Sequence, residues 1–370
     1  MDFKAKLYNN LNAELEKIWT NLEKHSDLYV FQNFYWFKIW HNAYKEKNNN
    51  YELKIVVIEN KGKTLAIFPF YLEKRFKLSI LRWAGDIEFD YCSPILDKNF
   101  KFDKENFLII LEQTFSMLKN VDIIKFLKQP KIINKNNNPF TDFLTRYYDS
   151  KNYFISLPDK WNVYENQVLK KEFRSQNKRK KRGLKKIGKL NFKVFKEKKE
   201  ISSILNNLFE QKNARLSFKK SENLFKKRDF NFYKELFKNQ NENFKMHLSY
   251  LKLDKEILAM HLGAIYKKRY YYLVLSMGKN LEKYSPGRLL INLLIKWSIS
   301  KKMDYFDFTF GDEDYKKSWS NSHSTYYNHV SSRTLYGFLY IIFFKAKYII
   351  KHFDRSRIFI NFLKKFKINT

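Results

Sequence analysis

Residues 284–319 constrain the fold of this chain more than any other segment. A turn at Ser285-Pro286-Gly287 precedes an apolar stretch of helical period at 289–299, and an alternating segment at 305–310 ends in the polar loop 311–316. This order predicts a helix whose first backbone N–H groups and positive dipole end are free to hold a phosphate. The strand that follows then places polar side chains beside that phosphate, a layout that suits transfer of a group from a phosphate-bearing carrier.

The whole chain divides into two halves with the same order of predicted elements. Each half has helices, a β-hairpin with a charged tip, a further strand, a helix and a last strand. The polar, Asn-rich residues 131–139 mark the boundary between the halves. We therefore predict two similar α+β modules, at 1–150 and 151–334, that arose by duplication, followed by a tail at 335–370.

The net charge of +34 has two interpretations. It suits a polyanionic partner, either nucleic acid or an anionic membrane face. It also suits an AT-rich genome, because only 13 of the 72 basic residues are Arg and the abundant Lys, Asn, Phe, Ile and Tyr have AT-rich codons. Composition alone leaves both open.

The tail at 335–370 is predicted to be a basic amphipathic helix. Its apolar run at 335–344 is too short to cross a bilayer, which takes about 20 apolar residues. Phe, Ile and Leu alternate there with Lys and Arg at helical intervals, so the tail could lie on an anionic membrane surface. A helical hairpin packed on the protein's own core is the alternative.

Cysteine and histidine content bears on compartment and on metals. Cys92 is the only cysteine, so no disulfide forms within the chain, which fits a reducing compartment. The seven His show no metal-ligand spacing, so we expect no metal site. The N-terminal residues lack the apolar run of a signal peptide. We expect a cytoplasmic protein, with peripheral contact to the inner membrane face through the tail.

An ordered set of short motifs resembles the CelD-like branch of the GNAT acyltransferases over residues 28–335. In the second half these motifs are Ile257–Gly263, Tyr270–Tyr272, Ser285–Gly287, Asp307-Phe308, Gly311, Tyr315-Lys316 and Trp319. In the first half they are Phe31-Gln32, Trp36, Pro69, Gly85, Asp90-Tyr91 and Pro94, and the basic segment 173–184 also has a counterpart in that family.

The resemblance implies two GNAT-like domains in tandem, as in the FemABX transferases, each with a mixed, mostly antiparallel sheet flanked by helices. It implies transfer of an acyl group, usually from acyl-CoA and most often acetyl-CoA, to a hydroxyl or amine of a sugar, polysaccharide or cell-envelope precursor. One departure concerns the donor. Ordinary GNAT enzymes hold the CoA pyrophosphate with a Q/R-x-x-G-x-G/A loop, whereas here residues 284–288 contain one glycine.

Four residues are our candidates for binding the phosphates of the donor. Pro286 presets the start of the helix, Gly287 permits close backbone approach, and Arg288 adds a charge-assisted contact. Ser285 completes the turn. An ordinary helix start is the alternative reading.

The catalytic candidates follow on the next strand and loop. Asp307, Asp312 and Glu313 are carboxylates placed to act as a general base, and alternation puts Asp307 on one face of its strand with Tyr305 and Thr309. Tyr315 and Lys316 are candidates to stabilise the oxyanion or to bind the acceptor.

Further residues are candidates for binding the substrate. On the N-terminal loop they are Asp86, Asp90 and Tyr91, on the basic helix Arg179 and Arg182, and on the second hairpin His261. Ordinary structural roles compete with each of them.

Three functions compete at this stage. The first is a GNAT-type acyltransferase that works by direct attack, since no cysteine lies in the motif region. The second has the same fold but takes aminoacyl-tRNA as the donor, as FemABX transferases do. Nucleic acid is otherwise not expected as a partner. The third is a non-catalytic basic module that binds an anionic membrane or nucleic acid.

Overall fold

One mixed sheet of thirteen strands runs through both halves of the described chain. The structure is a computed structural model, and it describes residues 2–343 apart from 46–49, 76, 134, 196–200, 219, 221–223, 243 and 279.

The strands are β1 Phe3–Tyr8, β2 Tyr51–Asn60, β3 Lys63–Arg75, β4 Leu78–Trp83, β5 Ile95–Leu96, β6 Ile123–Pro130, β7 Ile132–Ile133, β8 Asn136–Asn137, β9 Tyr147–Ser156, β10 Leu190–Val194, β11 Phe244–Leu253, β12 Glu256–Tyr266, β13 Arg269–Met277, β14 Tyr305–Phe310 and β15 Ser322–Ser332. The helices are α1 Ala13–Lys24, α2 Phe34–Lys45, α3 Lys104–Met117, α4 Pro139–Asp142, α5 Trp161–Gln167, α6 Lys171–Ile187, α7 Ile201–Phe218, α8 Lys227–Lys238, α9 Pro286–Ser300 and α10 Asp314–Lys317. Residues 335–343 are also helical.

The order of the strands shows that the two halves repeat one another. From edge to edge the sheet runs β1-β2-β3-β4-β6-β15-β9-β14-β13-β12-β11-β10, with β5 paired to β3. Read inward from either edge, β1 corresponds to β10, the hairpin β2–β3 to β11–β12, β4 to β13, and β6 to β14. The helix pair α1 and α2 corresponds to α7 and α8, and α3 to α9. This order supports the predicted duplication and confirms the tandem architecture.

The two central strands are exchanged between the modules. β9 follows β6 in the chain but pairs with β14, while β15 follows β14 but pairs with β6. The two exchanged strands also pair with each other, antiparallel. Each module therefore completes its sheet with a strand from the other, and the predicted boundary between residues 150 and 151 lies inside β9.

Each module has one parallel strand pair, and the two strands separate after a short ladder. β4 pairs with β6 over Ile80–Arg82, and β13 pairs with β14 over Arg269–Tyr271. The other pairs are antiparallel among the described strands. Helix α9 connects β13 to β14, so its N-terminus lies where that pair opens.

Buried apolar side chains lie on both faces of the sheet. On one face, a core common to both modules joins α2 to α8, with the ring of Trp36 5.8 Å from that of Phe232. On the other face, α9 covers the second module with Leu290, Leu294 and Ile295, all fully buried. At about 25 cal/mol per Å² of apolar surface, burial on this scale is the main stabilising term.

Three elements differ from what the sequence patterns indicate. The sequence pattern of residues 8–25 predicts a helix; in the structure this helix, α1, begins at Ala13 and is preceded by β1, whose Phe3 is buried. The very basic residues 161–186 read as one helix in sequence, but they form two helices, α5 and α6, with a break at 168–170. The central strand β15 was not predicted. Of the predicted amphipathic tail, residues 335–343 are helical, and 344–370 lie outside the described residues.

Candidate active site

A cavity of about 890 Å³ lies where β13 and β14 separate. Backbone pairing between them ends at Tyr271 and Asp307, and the following residues of both strands line the cavity. Two left-handed backbone positions, Thr309 (φ 59°) and Gly311 (φ 120°), turn β14 away. The opening therefore leaves one edge of β13 without a strand partner over its second half, where its peptide groups face the cavity.

The N-terminus of α9 forms one wall of this cavity. Ser285 has a left-handed backbone and makes no side-chain cap to the helix, and Pro286 is the first helical residue. The N–H groups of the first turn have no acceptor within a helix, so those of Gly287 and Arg288 are open to a ligand. A Cβ on Gly287 would lie 2.3 Å from Met277 Sδ, so glycine is what lets the helix start approach β13.

Positive side chains surround this helix start. Lys180 of α6 donates a hydrogen bond to the Ser285 hydroxyl. Arg288 lines the cavity, with its guanidinium 3.7 Å from the centre of the Phe173 ring. Lys212 and Arg215 of α7 line the other side. Burial lowers the pKa of Lys180, and the charge of Arg288 lowers it further, so the site favours an anion.

Two of the three guanidinium nitrogens of Arg288 donate hydrogen bonds to α6. Its Nη1 donates to Gln176 Oε1 at 3.1 Å and its Nη2 to the Phe173 carbonyl at 3.2 Å. Its buried Nε has no hydrogen-bond partner among the described residues. An unpaired buried donor costs about 1–3 kcal/mol, so a bound anion at this position would be stabilised.

The equivalent helix of the first module has its N-terminus closed. Asp103 caps α3 by accepting a hydrogen bond from the Asn106 amide at 2.8 Å. A carboxylate therefore takes the place at α3 that a phosphate could take at α9. Of the two related positions, only the second module offers an open helix start with cations around it.

Asp90 supplies a carboxylate to the cavity from the other module. It lies on the loop after β4, is partly exposed, and lines the cavity together with Thr309. Burial raises the pKa of Asp90, whereas the charges of Lys128 and Lys316 and a hydrogen bond from Thr309 oppose that rise. A carboxyl with a raised pKa that faces a cavity is a candidate general base.

Asp307 is fully buried and does not line this cavity. Its carboxylate accepts hydrogen bonds from Tyr91 (2.6 Å), Asn152 (3.2 Å) and the Thr309 amide (2.9 Å), and pairs with Arg269 at 2.9 Å. Burial raises the pKa of Asp307, and the charge of Arg269 opposes the rise. Sequence alternation correctly placed Asp307 opposite Phe306 and Phe308, but that face meets the first module.

The loop after β14 brings three of the predicted residues to the cavity. Glu313, Tyr315 and Lys316 all line it. Lys316 is buried, donates to the Phe310 carbonyl at 2.8 Å and pairs with Glu313 at 2.8 Å, so it holds the loop closed. Burial raises the pKa of Tyr315, which keeps its hydroxyl protonated and able to donate.

The other predicted residues lie away from the cavity. Asp312 accepts from Tyr153 at 2.9 Å, and that bond lowers its pKa. Asp86 forms a buried ion pair with Arg82 at 2.6 Å. His261 is buried against Tyr270, and burial lowers its pKa far enough to keep it neutral.

The last three residues that the sequence predicts to bind the substrate are Arg179, Arg182 and Tyr91. Arg179 and Arg182 are exposed on α6, outside the cavity. Tyr91 belongs to the Asp307 network and stacks on Tyr29 with ring centres 4.1 Å apart. The role that the sequence predicts for each of these residues stays a prediction.

Sequence reasoning missed two cavity cations, Lys212 and Arg215. They are three residues apart in α7, a spacing that puts both on one helix face and could have pointed to them. Within the described ranges, no group of His, Cys, Asp and Glu is arranged to hold a metal ion. In that same part of the chain, no helix has the length and apolarity required to span a membrane.

Part of the chain is similar to a known protein family. Residues 171–317 match the family model described as an acetyltransferase (GNAT) domain. A search of curated proteins gave no match. The matched residues contain α6, α7, β13, α9 and β14, which all line the cavity, whereas the Asp90 loop lies outside the match.

Solved structures share the fold at low identity. The crystal structure of FemX is 12% identical, with a TM-score of 0.57 over 88% of this chain and 97% of that one. The C-terminal domain of a putative lysylphosphatidylglycerol synthetase from Agrobacterium fabrum is 11% identical, with a TM-score of 0.53 over 90% and 96%. A tandem GNAT protein from the clavulanic acid biosynthesis pathway is 5% identical, with a TM-score of 0.50 over 90% and 98%.

Identities this low show the shared fold and not a shared substrate. Together with the domain match, they show that the chain has a tandem GNAT-like fold and that its second module is similar to an acetyltransferase (GNAT) domain.

Proposed function

We propose that the cavity between β13 and β14 binds an acyl-CoA, with acetyl-CoA the first choice, and transfers its acyl group to a hydroxyl or amine. The observation that carries this proposal is the open, uncapped start of α9 surrounded by Lys180, Lys212, Arg215 and Arg288. A diphosphate at this position would accept hydrogen bonds both from the first N–H groups of α9 and from the Lys and Arg side chains. The pantetheine arm then extends along the unpaired edge of β13 toward Asp90.

The transfer reaction needs a general base and a proton donor near the thioester. Asp90 accepts the proton of the attacking hydroxyl or amine as the new C–O or C–N bond forms at the thioester carbonyl. The resulting oxyanion collapses, the C–S bond breaks, and the thiolate leaves as CoA after it gains a proton. Tyr315, protonated and on the cavity wall, is the candidate donor to the oxyanion or the leaving thiolate.

Asp307 has a positioning role in this scheme. Its carboxylate is occupied by Arg269 and Tyr91, so no acceptor reaches it. Its hydrogen bond to the Thr309 amide fixes the left-handed turn at which β14 departs, and Thr309 in turn bonds Asp90. We therefore assign the role of general base to Asp90, one residue before Tyr91, and not to Asp307, for which the sequence predicts it.

The acceptor is proposed from the sequence resemblance. CelD-like relatives act on polysaccharide or envelope precursors, and a sugar hydroxyl or amino-sugar nitrogen would fit a site with one carboxylate base. The Asp90 end of the cavity lies at the junction of the two modules, where such an acceptor would enter.

One observation favours a second candidate for the acyl donor, aminoacyl-tRNA. Arg179 and Arg182 are exposed on α6, the same helix whose Lys180 bonds the Ser285 hydroxyl, so the positive surface continues beyond the start of α9. A longer polyanion such as aminoacyl-tRNA could use that continuation, with steep loss of affinity as salt rises.

Calorimetric titration with acetyl-CoA, acetyl-pantetheine and charged tRNA separates these donors. We expect acetyl-CoA to bind, acetyl-pantetheine, which lacks the diphosphate, to bind at least tenfold more weakly, and Arg288→Ala to weaken only acetyl-CoA. Arg182→Ala is the matched control, because Arg182 lies outside the cavity. Binding of tRNA that Arg182→Ala weakens, without acetyl-CoA binding, would replace the proposal by the aminoacyl-tRNA donor.

A further inference from the structure

The helical segment 335–343 has an apolar face with a high exposed fraction. Its sequence, LYGFLYIIF, contains no charged residue. Exposed fractions along it are high for apolar side chains, 75% for Leu335, 54% for Leu339 and 63% for Phe343. Phe338 and Ile342 are also exposed. At 100° per residue these five side chains fall within one side of the helix.

The opposite side of this helix is fixed to the first module. Thr334 donates its hydroxyl to Asp122 Oδ1 at 2.7 Å and accepts from the Gly337 amide at 3.1 Å, which starts the helix. A Cβ on Gly337 would lie 2.3 Å from the Asp122 carbonyl oxygen, so the helix touches the backbone before β6. Tyr340 and Ile341 pack against Leu78, Ile80 and Ile123. The outward face is therefore held in place.

Charge next to this face is positive. Arg333 lies two residues before the helix, and Lys77 precedes Leu78, on which the helix packs. Both are exposed. The sequence that follows, residues 344–370, has eight Lys and Arg against one Asp. An apolar patch with cations on its borders matches the boundary between acyl chains and anionic headgroups.

We propose that the face formed by Leu335, Phe338, Leu339 and Ile342 docks on an anionic lipid bilayer. The apolar side chains enter the acyl boundary, while the bordering cations pair with the headgroups. A second copy of this chain is disfavoured as the occupant, since two such patches would bring a net charge of +34 on each chain together. This inference does not depend on the identity of the acyl donor.

Vesicle co-sedimentation of the full chain tests the proposal. Vesicles of phosphatidylcholine with one quarter phosphatidylglycerol are compared with vesicles of phosphatidylcholine alone, at low and high salt. We expect binding to the anionic vesicles, weakened by salt, and a loss of tenfold or more in Leu339→Glu. The matched control is Phe218→Glu, which puts the same charge on an exposed apolar residue of α7 and should bind as the unaltered chain does.

Folding and self-association are measured on the same samples. Leu339→Glu should keep its melting temperature and its acetyl-CoA affinity, because Leu339 points away from the packed side. Failure of the unaltered chain to bind anionic vesicles would overturn the proposal, as would equal binding by Leu339→Glu. A dimer in light scattering that Leu339→Glu converts to monomers, with no vesicle binding, would assign the face to a second copy instead.

Discussion

The hydroxyl of Tyr91 donates a hydrogen bond to the carboxylate of Asp307 across 2.6 Å, between residues 216 positions apart in the chain. Asn152 of the exchanged strand β9 joins them, 2.6 Å from the Tyr91 oxygen. The bond therefore ties the loop after β4 to the strand that opens the cavity. Because Asp90 precedes Tyr91, this contact also sets where the proposed base stands.

Asp90→Asn should abolish most turnover and leave the fold intact. Removing a general base typically costs 10²–10⁴ in rate. The side chain is partly exposed to the cavity, so its loss should change the melting temperature little. Steady-state kinetics with calorimetry of donor binding checks this, and donor affinity should stay within twofold. Turnover near that of the unaltered enzyme would remove Asp90 from the mechanism.

Asp307→Asn should instead lower stability. The change leaves the Arg269 guanidinium without its counter-charge. Removing one partner of a fully buried pair costs about 3–5 kcal/mol, and because Arg269 is 21% exposed we expect roughly 2–3 kcal/mol. Urea unfolding measures the loss, with Asp312→Asn as the matched control, since Asp312 lies in the neighbouring exposed loop. A stable Asp307→Asn chain without turnover would return the role of base to Asp307.

The rate should depend on pH through Asp90. Its pKa is raised by burial, and only the ionised form accepts a proton. Activity should therefore be full at high pH and fall as pH drops through a value above the ordinary Asp range. A kcat/KM profile shows this limb. In Lys128→Ala the limb should move to higher pH, because the charge of Lys128 lowers the pKa of Asp90. An acid limb unmoved in that variant would contradict the assignment.

Gly287→Ala should weaken donor binding while leaving stability nearly unchanged. The added Cβ meets Met277 Sδ, the end of a flexible side chain that lines the cavity, and moves it toward the donor. We expect KM for acetyl-CoA to rise several-fold with a smaller change in kcat. Met277→Ala in the same chain should restore KM, since it removes the displaced atom. A double variant as weak as Gly287→Ala would point to the helix start itself.

Glu23→Gln should change how stability depends on pH. Glu23 is buried and accepts from Asn33 and from the Phe34 amide, and burial raises its pKa to about 7. The folded chain therefore binds the proton more tightly than the unfolded chain, in which the pKa is near 4.5. The contribution of Glu23 to stability is present below pH 4.5 and falls as pH rises toward 7, by roughly 3 kcal/mol at most.

Melting temperatures from pH 5 to 8 measure this effect. The difference between Glu23→Gln and the unaltered chain should shift in favour of the variant as pH rises. Glu105→Gln, which makes the same chemical change at an exposed position of α3, should show no such trend. Parallel curves for all three chains would mean that Glu23 titrates alike in both states.

Periodic elements were predictable from the sequence, because their side chains report which face is buried. Their patterns predict a helix at 201–218 and a hairpin with strands at 244–253 and 256–266, which are the bounds of α7, β11 and β12. Strand β1 could have been found, since Phe3, Ala5 and Leu7 alternate with lysines. Strand β15 could not, because Ser322–Ser332 carries few apolar side chains and its neighbours, β6 and β9, lie far away in sequence.

The site was predictable only in part for a related reason. The helix start at Ser285–Arg288 is local in sequence, and in the structure it lies on the cavity wall. Asp90 and Asp307 look alike in sequence, as carboxylates next to aromatic residues. What distinguishes them is Arg269, whose guanidinium forms an ion pair with Asp307. Arg269 and Asp307 lie on neighbouring strands of one module but 38 positions apart in the chain, so their pairing leaves no local signal in the sequence.

The place of β15 has a consequence for how the chain is made. This strand is the last of the described strands to leave the ribosome, yet it lies at the centre of the sheet, between β6 and β9. Until residue 332 emerges, each half waits with an unpaired inner edge, and contacts this distant in sequence form slowly. Expression of either half alone should therefore yield aggregates, and nascent chains halted before β15 should need a chaperone.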